Sequence, residues 1–446
     1  MMTRRRFLEL SACLGMVSGL TRVLPVHAAS DYRALVCVFM FGGNDGNNTV
    51  IPLDAAGYGQ YAAVRPTSSG INLAQASLLP IQPTNVGTPY GLHPSLPEMQ
   101  TLFSQKKLAI LANVGTLLQP TTKAQYAAGL RPLSLFSHSD QQAQWQSSIS
   151  NTIAGTGWGG RIADKVTSLN AQTGFPVITS LDGTVLFATG ATSAPLAIPV
   201  TGSFALAGYN NSAAANARMA AVKQLLALGS ANAFVTGANT IGTQALQLTT
   251  TVNPILANTN STVAPIFASL KTSIANQLFQ VAKMIEARAA TGAKRQIFFV
   301  QLGSFDTHSD QANRQQNLFA DMSPALKAFY DATVALGVAS QVTTFTLSDF
   351  GRTFHPASGG GTDHAWGSHH FIIGDAVRGE MMYGNYPQLI LSGPSDAESA
   401  GRWLPTVSVD QYGATLARWF GVAATDLNAV FPNLAKFPTS DLGFLG

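Results

Sequence analysis

The sequence predicts an α/β fold in which helices cover both faces of a mainly parallel sheet. Three apolar runs rich in β-branched and aromatic residues are predicted to be buried strands, at 34–41, 296–302 and 342–347. Apolar residues recur at helical spacing before the second and third runs, at 278–290 and 324–338. Alternation of strand and helix is typical of a parallel sheet. Because such folds bind ligands beyond the carboxyl ends of their strands, we expect the functional site there.

The first 29 residues have the features of an export signal. A basic segment at 3–8 precedes an apolar stretch at 10–20, and a small-residue cleavage site follows at 26–28, a pattern that resembles twin-arginine signals. The apolar stretch is shorter than the ~20 residues that span a membrane. We therefore predict a cleaved signal, no stable membrane span, and a periplasmic or secreted protein. The alternative, lipid attachment at Cys13, would leave an apolar segment of only residues 7–12.

Charge is scarce, and most of the excess positive charge lies in the leader. Charged residues make up 11% of the chain and the net charge is +4, whereas an average soluble domain has about 25% charged residues. Residues 1–29 carry +3 of this charge, which leaves +1 for residues 30–446. A nucleic-acid surface needs clustered lysine and arginine, so we exclude nucleic acid as a partner. Cys37 lies alone in an apolar run and is predicted to be a buried hydrophobic residue.

Residues 30–446 are predicted to form one domain that carries an insertion. Residues 178–274 are rich in Ala, Ser, Thr, Asn and Gly and nearly free of acids. A helical stretch at 213–228 is followed by a polar segment at 249–261, which we expect to be a connection. We interpret this region as a helical cap inserted into the α/β domain.

Histidine and aspartate gather in the last third of the chain. Five of the seven histidines after the leader fall between positions 308 and 370, where several aspartates accompany them. Imidazole and carboxylate groups at strand ends are the ligands expected for Zn²⁺, Mn²⁺ and related divalent ions. The sequence therefore predicts a metal site.

Two predicted strands end in segments suited to this site. After the first, Gly42-Gly43 permit a tight turn that places the Asp45 carboxylate at the strand tip, although an ordinary Asp-Gly turn is equally compatible. After the second, Asp306 and His308 are two residues apart, so that on an extended segment both point the same way. The alternative is that Asp306 caps a helix through 315–322.

The third strand is followed by the densest group of candidate residues. Asp349 comes first, and Arg352 is suited to bidentate contact with an anionic oxygen. His364, His369 and His370 follow within seven residues. Neutral imidazole is the commonest metal ligand, and three histidines so close together rarely serve packing alone.

A further candidate segment opens an amphipathic stretch at 136–145. Ser137 is predicted at a helix N-terminus, where backbone N–H groups and the helix dipole favour an anion or an alkoxide. That position suits a hydroxyl nucleophile activated by a metal ion, with His138 as a proton carrier. The alternative is an ordinary N-cap serine followed by an exposed histidine.

These segments resemble the exported "domain of unknown function 1501" family, within the alkaline phosphatase-like superfamily of phosphatases and sulfatases. The segment at 361–384 is the most specific. The matching segments include FMFGGNDGNNTVIP at 39–52, GLHPSLPEM at 91–99, FSHSDQQAQWQ at 136–146, SFDTHSDQ at 304–311, TLSDFGRTF at 346–354 and GTDHAWGSHHFIIGDAVRGEMMYG at 361–384.

The resemblance implies a three-layer α/β/α fold and a metal-dependent hydrolase of phosphate or sulfate esters. It implies one or two divalent ions (Zn, Mn or Ca), a small-molecule ester substrate, and Ser137 as nucleophile, with Arg352 and His138 assisting. Superfamily enzymes commonly have histidine where this chain has Phe350, so the resemblance implies a full second metal site only if His369 or His370 replaces that ligand. The alternative is a non-catalytic exported protein that binds a ligand or partner. The metal ligands implied by position are Asp45, Asp306, His308, Asp349 and His364.

Overall fold

A nine-stranded sheet forms the centre of the fold, and a separate three-stranded antiparallel sheet accompanies it. The structure is a computed structural model that describes residues 31–170, 175–204 and 209–446. The chain divides into residues 1–32 and a unit from Arg33 to Gly446, and the second is described below. The predicted export signal at 1–29, with Cys13, lies outside the described residues.

Among the described strands, five have six to eight residues and the others have two or three. The described strands are β1 (Arg33–Met40), β2 (Val50–Pro52), β3 (Leu79–Ile81), β4 (Tyr90–Leu92), β5 (Leu108–Gly115), β6 (Ile178–Ser180), β7 (Leu196–Ala197), β8 (Arg295–Leu302), β9 (Val342–Ser348), β10 (Ser368–Ile373), β11 (Met382–Tyr383) and β12 (Val407–Ser408).

The large sheet has the order β11-β5-β10-β9-β1-β8-β6-β7, with β12 paired to β5. The first strand, β1, lies between β8 and β9 and is parallel to both. Met40 pairs with Leu302 and with Ser348, so the three carboxyl ends meet at one edge. Only β10 runs antiparallel to its neighbours β5 and β9. The predicted α/β class with a mainly parallel sheet is confirmed, as are the three predicted strands.

The described α-helices range from single turns to 25 residues. They are α1 (Gly46–Thr49), α2 (Ala55–Val64), α3 (Pro97–Ser104), α4 (Lys123–Ala127), α5 (His138–Ser147), α6 (Trp158–Val166), α7 (Ala213–Leu226), α8 (Ala233–Leu256), α9 (Ala264–Phe267), α10 (Ser273–Glu286), α11 (Arg288–Thr291), α12 (Gln311–Ala335), α13 (Val409–Phe420) and α14 (Leu427–Val430).

The two helices predicted from apolar spacing are present with different ends. The pattern at 278–290 falls in α10 and α11, and that at 324–338 falls in the second half of α12, which already begins at Gln311. The segment at 249–261 is largely helical rather than a connection, since α8 continues to Leu256. Its threonine and asparagine residues carry only small helix penalties, which an exposed helix tolerates.

Side chains of β1 are buried on both faces of the sheet. Leu35, Cys37 and Phe39 join a core cluster with apolar residues of α5, α6 and α13. Val36 and Val38 point to the opposite face and are equally buried. Helix α10, whose buried apolar side chains are outside that cluster, packs on β8. The sheet is thus the middle of three layers, and Cys37 is a buried hydrophobic residue as predicted.

The region interpreted as a cap contains more than helices. At its start, β6 and β7 belong to the central sheet, and α7, α8 and α9 follow. Leu225, Leu228 and Phe234 are exposed where α7 and α8 meet. A covering role for these helices stays a prediction. Among the described residues, no helix combines the length and apolar character needed to cross a bilayer.

Candidate metal centre

Two glycines let the tip of β1 approach the loops that follow β8 and β9. Gly42 has a φ of +113°, and a Cβ on it would lie 2.3 Å from the backbone nitrogen of Asp306. Gly43 has a φ of +85°, and its Cβ would lie 2.5 Å from ring carbons of Phe350. Only glycine fits both the conformation and the space. The Gly42-Gly43 pair therefore allows the strand ends to meet closely.

At this edge, three imidazoles surround one carboxylate oxygen. Asp306 Oδ1 lies 3.0 Å from His308 Nε2 and 3.5 Å from both His138 Nε2 and His364 Nε2. The Nε2 atoms of His308 and His364 are 2.9 Å apart. Ligand atoms of His138, Asp306 and His364 all lie within 4.8 Å of one another, a grouping that can hold a metal ion.

The partners of the other ring nitrogens determine which nitrogen carries the proton. Carboxylates and carbonyls only accept hydrogen bonds, so each Nδ1 must donate and each neutral ring then has a lone pair on Nε2. The three donations are His138 Nδ1 to Asp349 Oδ2 at 2.7 Å, His308 Nδ1 to Asp363 Oδ1 at 3.2 Å, and His364 Nδ1 to the Phe136 carbonyl at 2.7 Å.

These tautomers leave a lone pair on each Nε2 atom, and the three Nε2 atoms lie 3.0–3.5 Å from Asp306 Oδ1. Lone pairs of His308 and His364 that face each other at 2.9 Å repel unless a positive charge lies between them. His138 Nε2 is buried and has no hydrogen-bond partner among the described residues. A cation held by His138, His364 and Asp306, whose ligand atoms lie within 4.8 Å of one another, would satisfy these nitrogens, and His308 Nε2 lies 2.9 Å from His364 Nε2. The donor set of imidazole nitrogen and carboxylate oxygen fits Zn²⁺ or a similar ion.

Arg352 keeps the Asp306 carboxyl group ionised. Burial alone would raise the pKa of Asp306, but the hydrogen bond and charge of Arg352, helped by His308 and His138, hold it below its ordinary value. The Arg352 Nη1 atom donates to Asp306 Oδ1 at 2.8 Å. The carboxylate is therefore available as a ligand at neutral pH.

The environments of two of the histidines differ. The hydrogen bond to Asp349 raises the pKa of His138, and burial opposes it. Burial lowers the pKa of His364, and the nearby His138 and Arg352 reinforce this effect. Phe350 stacks on His364 with ring centroids 4.6 Å apart and packs against His138 at 4.8 Å. Where a second-site histidine was expected, the chain has a phenyl ring that packs against two candidate ligands.

Arg352 cannot bind a substrate oxygen without losing its present contacts. The side chain is completely buried. Its donors contact the Thr362 hydroxyl and carbonyl, the Gly42 carbonyl and Asp306. The structure gives Arg352 the role of holding Asp306 and the loop that contains Thr362.

Asp45 is placed away from the imidazoles, in a buried ion pair. Its Oδ2 atom lies 2.6 Å from Nη1 of the fully buried Arg65, and the Gln311 amide donates to the same oxygen at 2.5 Å. Its Oδ1 atom accepts from the backbone of Asn47 at the start of α1. The carboxylate is fully used in joining α1, α2 and α12.

His369 and His370 also do not join the cluster, because they lie in the buried strand β10. The Nδ1 atom of His369 accepts a hydrogen bond from the backbone of Asn113 at 3.0 Å. His370 packs against Trp145. Burial lowers the pKa of His369 to about 4 and that of His370 to about 3, so both are neutral core residues.

Ser137 lies at the N-terminus of α5, as predicted, next to the candidate ligand His138. Its hydroxyl does not cap the helix but donates to Asp140 Oδ2 at 2.6 Å. The carbonyl of Phe136 accepts from His364, so residues 136–138 border the candidate centre. Asp306 is not a helix cap, since α12 begins after Asp310.

Three partners were missed by sequence reasoning. Asp363 is one of the aspartates that accompany the histidines in sequence, the Phe136 carbonyl gave no signal, and Gln142 gave only its spacing from His138. Gln142 lies four residues after His138 on α5, the helical spacing that places both side chains on one face. That spacing was the available hint of a shared partner.

The family model described as "Protein of unknown function (DUF1501)" matches residues 32–397. The chain belongs to the DUF1501 family. The match includes the four clustered side chains and all their partners named above. Comparison of this DUF1501 protein with curated proteins returned no match.

The solved structures that match this chain over most of its length have low sequence identity to it. A sulfatase, PsFucS1 from Pseudoalteromonas sp., has 10% identity and a TM-score of 0.36, over 95% of the DUF1501 chain and 73% of the other. An alkaline phosphatase superfamily protein from Vibrio parahaemolyticus has 11% identity and a TM-score of 0.34, over 88% and 68%. The periplasmic domain of EcEptC from Escherichia coli, in complex with Zn, has 10% identity and a TM-score of 0.30, over 77% and 73%.

Proposed function

We propose that the protein is an exported, metal-dependent hydrolase of phosphate or sulfate esters. One observation carries the proposal: the Nε2 lone pairs of His138, His308 and His364 converge on the Asp306 carboxylate. Without a cation, these lone pairs and the carboxylate repel one another. With a cation, they can serve as its ligands. The ester substrate class and the export route rest on the sequence motifs.

The donor set favours Zn²⁺ or Mn²⁺ over Ca²⁺. Three imidazole nitrogens and one carboxylate oxygen suit the first two ions, whereas Ca²⁺ prefers six to eight oxygen ligands. When bound, such an ion supplies a Lewis acid that polarises an ester oxygen and stabilises charge on the transferring group.

Ser137 is the proposed nucleophile. Its Oγ attacks the phosphorus or sulfur atom, and its proton passes to Asp140 Oδ2, which already accepts its hydrogen bond at 2.6 Å. The bond to the leaving oxygen breaks, and the released alcohol takes the proton from Asp140 Oδ2. Water then hydrolyses the seryl ester. The N-terminus of α5, a helix of 10 residues, favours the negative charge.

Metal analysis and hydrolysis assays test the proposal together. Protein purified without chelator is analysed for Zn and Mn, then assayed on an aryl phosphate, an aryl phosphodiester and an aryl sulfate. We expect turnover of at least one ester, its loss with a chelator, and its return on addition of Zn²⁺ or Mn²⁺. Absence of metal-dependent turnover on all three esters contradicts the proposal.

A second candidate is a metal-binding protein without hydrolytic activity. Arg352 favours it, because the guanidinium predicted to clamp a substrate is buried and fully engaged. This candidate predicts bound metal with no turnover, and a Ser137→Ala variant that keeps the protein's phenotype in the cell. A variant that loses both hydrolysis and phenotype excludes it.

A further inference from the structure

We propose that the centre holds a single ion, and that Asp349 is a positioning residue that fixes His138 toward this ion. This inference rests on the metal site of the proposed function and deepens it. It assigns to Asp349 a different role from ligation of a second ion.

The contacts of Asp349 are those of a residue that orients a ligand. Its side chain is completely buried, and its Oδ2 atom accepts from His138 Nδ1 at 2.7 Å and from Gln142 Nε2 at 2.8 Å. His138 and Gln142 both lie on α5, while Asp349 directly follows β9. The carboxylate therefore fastens the start of α5 to the carboxyl edge of the sheet.

That attachment sets the direction of the His138 ring. With Nδ1 held by Asp349, Nε2 faces Asp306 Oδ1 at 3.5 Å and has no hydrogen-bond partner among the described residues. Phe350 packs against the same ring and limits its rotation. Carboxylates that accept the second N–H of a ligating histidine fix its tautomer and strengthen its binding of the metal.

The other groups that a second ion would need are engaged elsewhere. Asp45 is paired with the buried Arg65, and His369 Nδ1 accepts from the Asn113 backbone. Phe350 has no donor atom. Within the described part of the chain, Asp349 Oδ1 is buried without a hydrogen-bond partner, but one oxygen atom does not make a site. These commitments favour one ion per chain.

The test measures metal binding by itself. Zn²⁺ is titrated calorimetrically into chelator-treated, full-length mature protein, and bound zinc is counted after desalting. We expect one ion per chain for the unmodified protein and for Asp349→Asn, with affinity lower by about 10–100-fold in the variant. Asp331→Asn, which changes a half-buried carboxylate paired with Lys327 on α12, is the matched control and should bind as the unmodified protein does.

A double-mutant cycle separates positioning from direct ligation. In a His138→Ala background, Asp349→Asn should cause little further loss of affinity, because it acts through the missing imidazole. Gln142→Ala keeps every proposed ligand and should weaken binding in the same direction by a smaller factor. If Asp349→Asn fails to fold, the Gln142→Ala variant tests the inference in its place.

Three results overturn the inference. They are two ions in the unmodified protein with loss of one in Asp349→Asn, unchanged affinity in that variant, and an equal further loss in the His138→Ala background. Each of these leaves the proposed hydrolase intact. Conversely, one tightly bound ion without hydrolysis of any ester rejects the hydrolase and keeps the inference.

Discussion

At the scale of single residues, the histidines of this chain differ in the hydrogen-bond partner of Nδ1. His138, His308 and His364 each donate from Nδ1 to an oxygen and direct Nε2 toward Asp306. His369 instead accepts at Nδ1 from a backbone amide within the sheet. When Nδ1 of a neutral histidine accepts a hydrogen bond, it carries the lone pair of the ring. That lone pair is then engaged by the hydrogen bond and is not available to a metal ion. The candidate metal-binding set is therefore distinguished from the other histidines by the partner of each Nδ1 atom.

The carboxylate at the centre should be indispensable for metal binding. We expect Asp306→Asn to lower Zn²⁺ affinity by more than about 100-fold, since even changes to the partners of ligands cost 10–100-fold. Asp310→Asn, four residues away and exposed, is the control and should bind normally. Calorimetric titration checks this, and equal affinity for the two variants would reject Asp306 as a ligand.

Ser137 and Ser139 offer a matched pair for testing the nucleophile. Their hydroxyls are 3.2 Å apart, and Ser137 donates to Asp140 Oδ2 at 2.6 Å whereas Ser139 donates to the same atom at 3.5 Å. We expect Ser137→Ala to lower kcat by on the order of a thousand-fold with unchanged metal content. Ser139→Ala should retain kcat within a few-fold. Similar rates for both variants would point to attack by water.

At the scale of secondary-structure elements, the strand ends can approach closely because glycine, which has no side chain, lies at the contact. Gly42 and Gly43 have positive φ and lie against the Asp306 backbone and the Phe350 ring. A second element with a defined end is α13. Ser408 and Gln411 form a capping box at its N-terminus, and Asp410 is a buried acidic residue in its first turn.

A methyl group at Gly43 should destabilise the fold. We expect Gly43→Ala to lower the free energy of unfolding by about 1–3 kcal/mol, because its φ is +85° and the added Cβ would lie 2.5 Å from the Phe350 ring. Gly59→Ala is the opposite control: Gly59 lies in α2 with open space around it, and alanine there should stabilise by about 0.5–1 kcal/mol. Urea denaturation measures both.

Asp410 should make the protein less stable as the pH rises. Burial raises its pKa from 3.8 to about 7 against opposing hydrogen bonds and the charge of Arg161. The folded state thus holds a proton that the unfolded state releases, so stability is highest below pH 4 with respect to this group. It falls by roughly 1 kcal/mol per pH unit up to about pH 7.

The variant Asp410→Asn should remove this contribution. Its Oδ1 can still accept from the Asn433 backbone, as Asp410 does at 3.2 Å. Urea denaturation at several pH values between about 4 and 8 should show a smaller fall with pH than the unmodified protein, and greater stability above pH 7. Asp331→Asn should follow the unmodified protein, and parallel curves for all three would disprove the shift.

For the whole molecule, the centre joins distant parts of the chain. His138 belongs to α5, Asp306 and His308 follow β8, and His364 lies before β10. An ion bound by all four links segments separated by more than 200 residues in sequence. Binding to the folded state alone should therefore stabilise the entire domain.

Metal loading should raise the thermal stability of the domain. At a free Zn²⁺ concentration of about 100 Kd, binding adds about 2.7 kcal/mol to the free energy of unfolding. Scanning calorimetry with Zn²⁺ and with a chelator should show a higher Tm with the ion. Asp306→Asn should show no such difference, and an equal shift in this variant would place the stabilising ion elsewhere.

Much of the fold was accessible from local pattern. The runs at 34–41, 296–302 and 342–347 are strands because only a strand covered on both faces by helices buries every side chain of an unbroken apolar run. The strand β10 was not predicted, because His369 and His370 at its start were interpreted as ligands. Burial against β5 and β9 is a tertiary property that their local sequence does not encode.

The candidate site contains only some of the residues that the sequence suggested, and its metal-binding chemistry stays a prediction. The sequence alone determined that histidine and aspartate follow the central strands, and that Asp306, His308 and His364 lie at one edge of the sheet. Only the tertiary structure decided that Arg65 neutralises Asp45, that Asp349 holds His138, and that His138 faces the same point as His364. The physical reason is that ligand type is a property of a residue, whereas a free lone pair depends on partners brought together by folding.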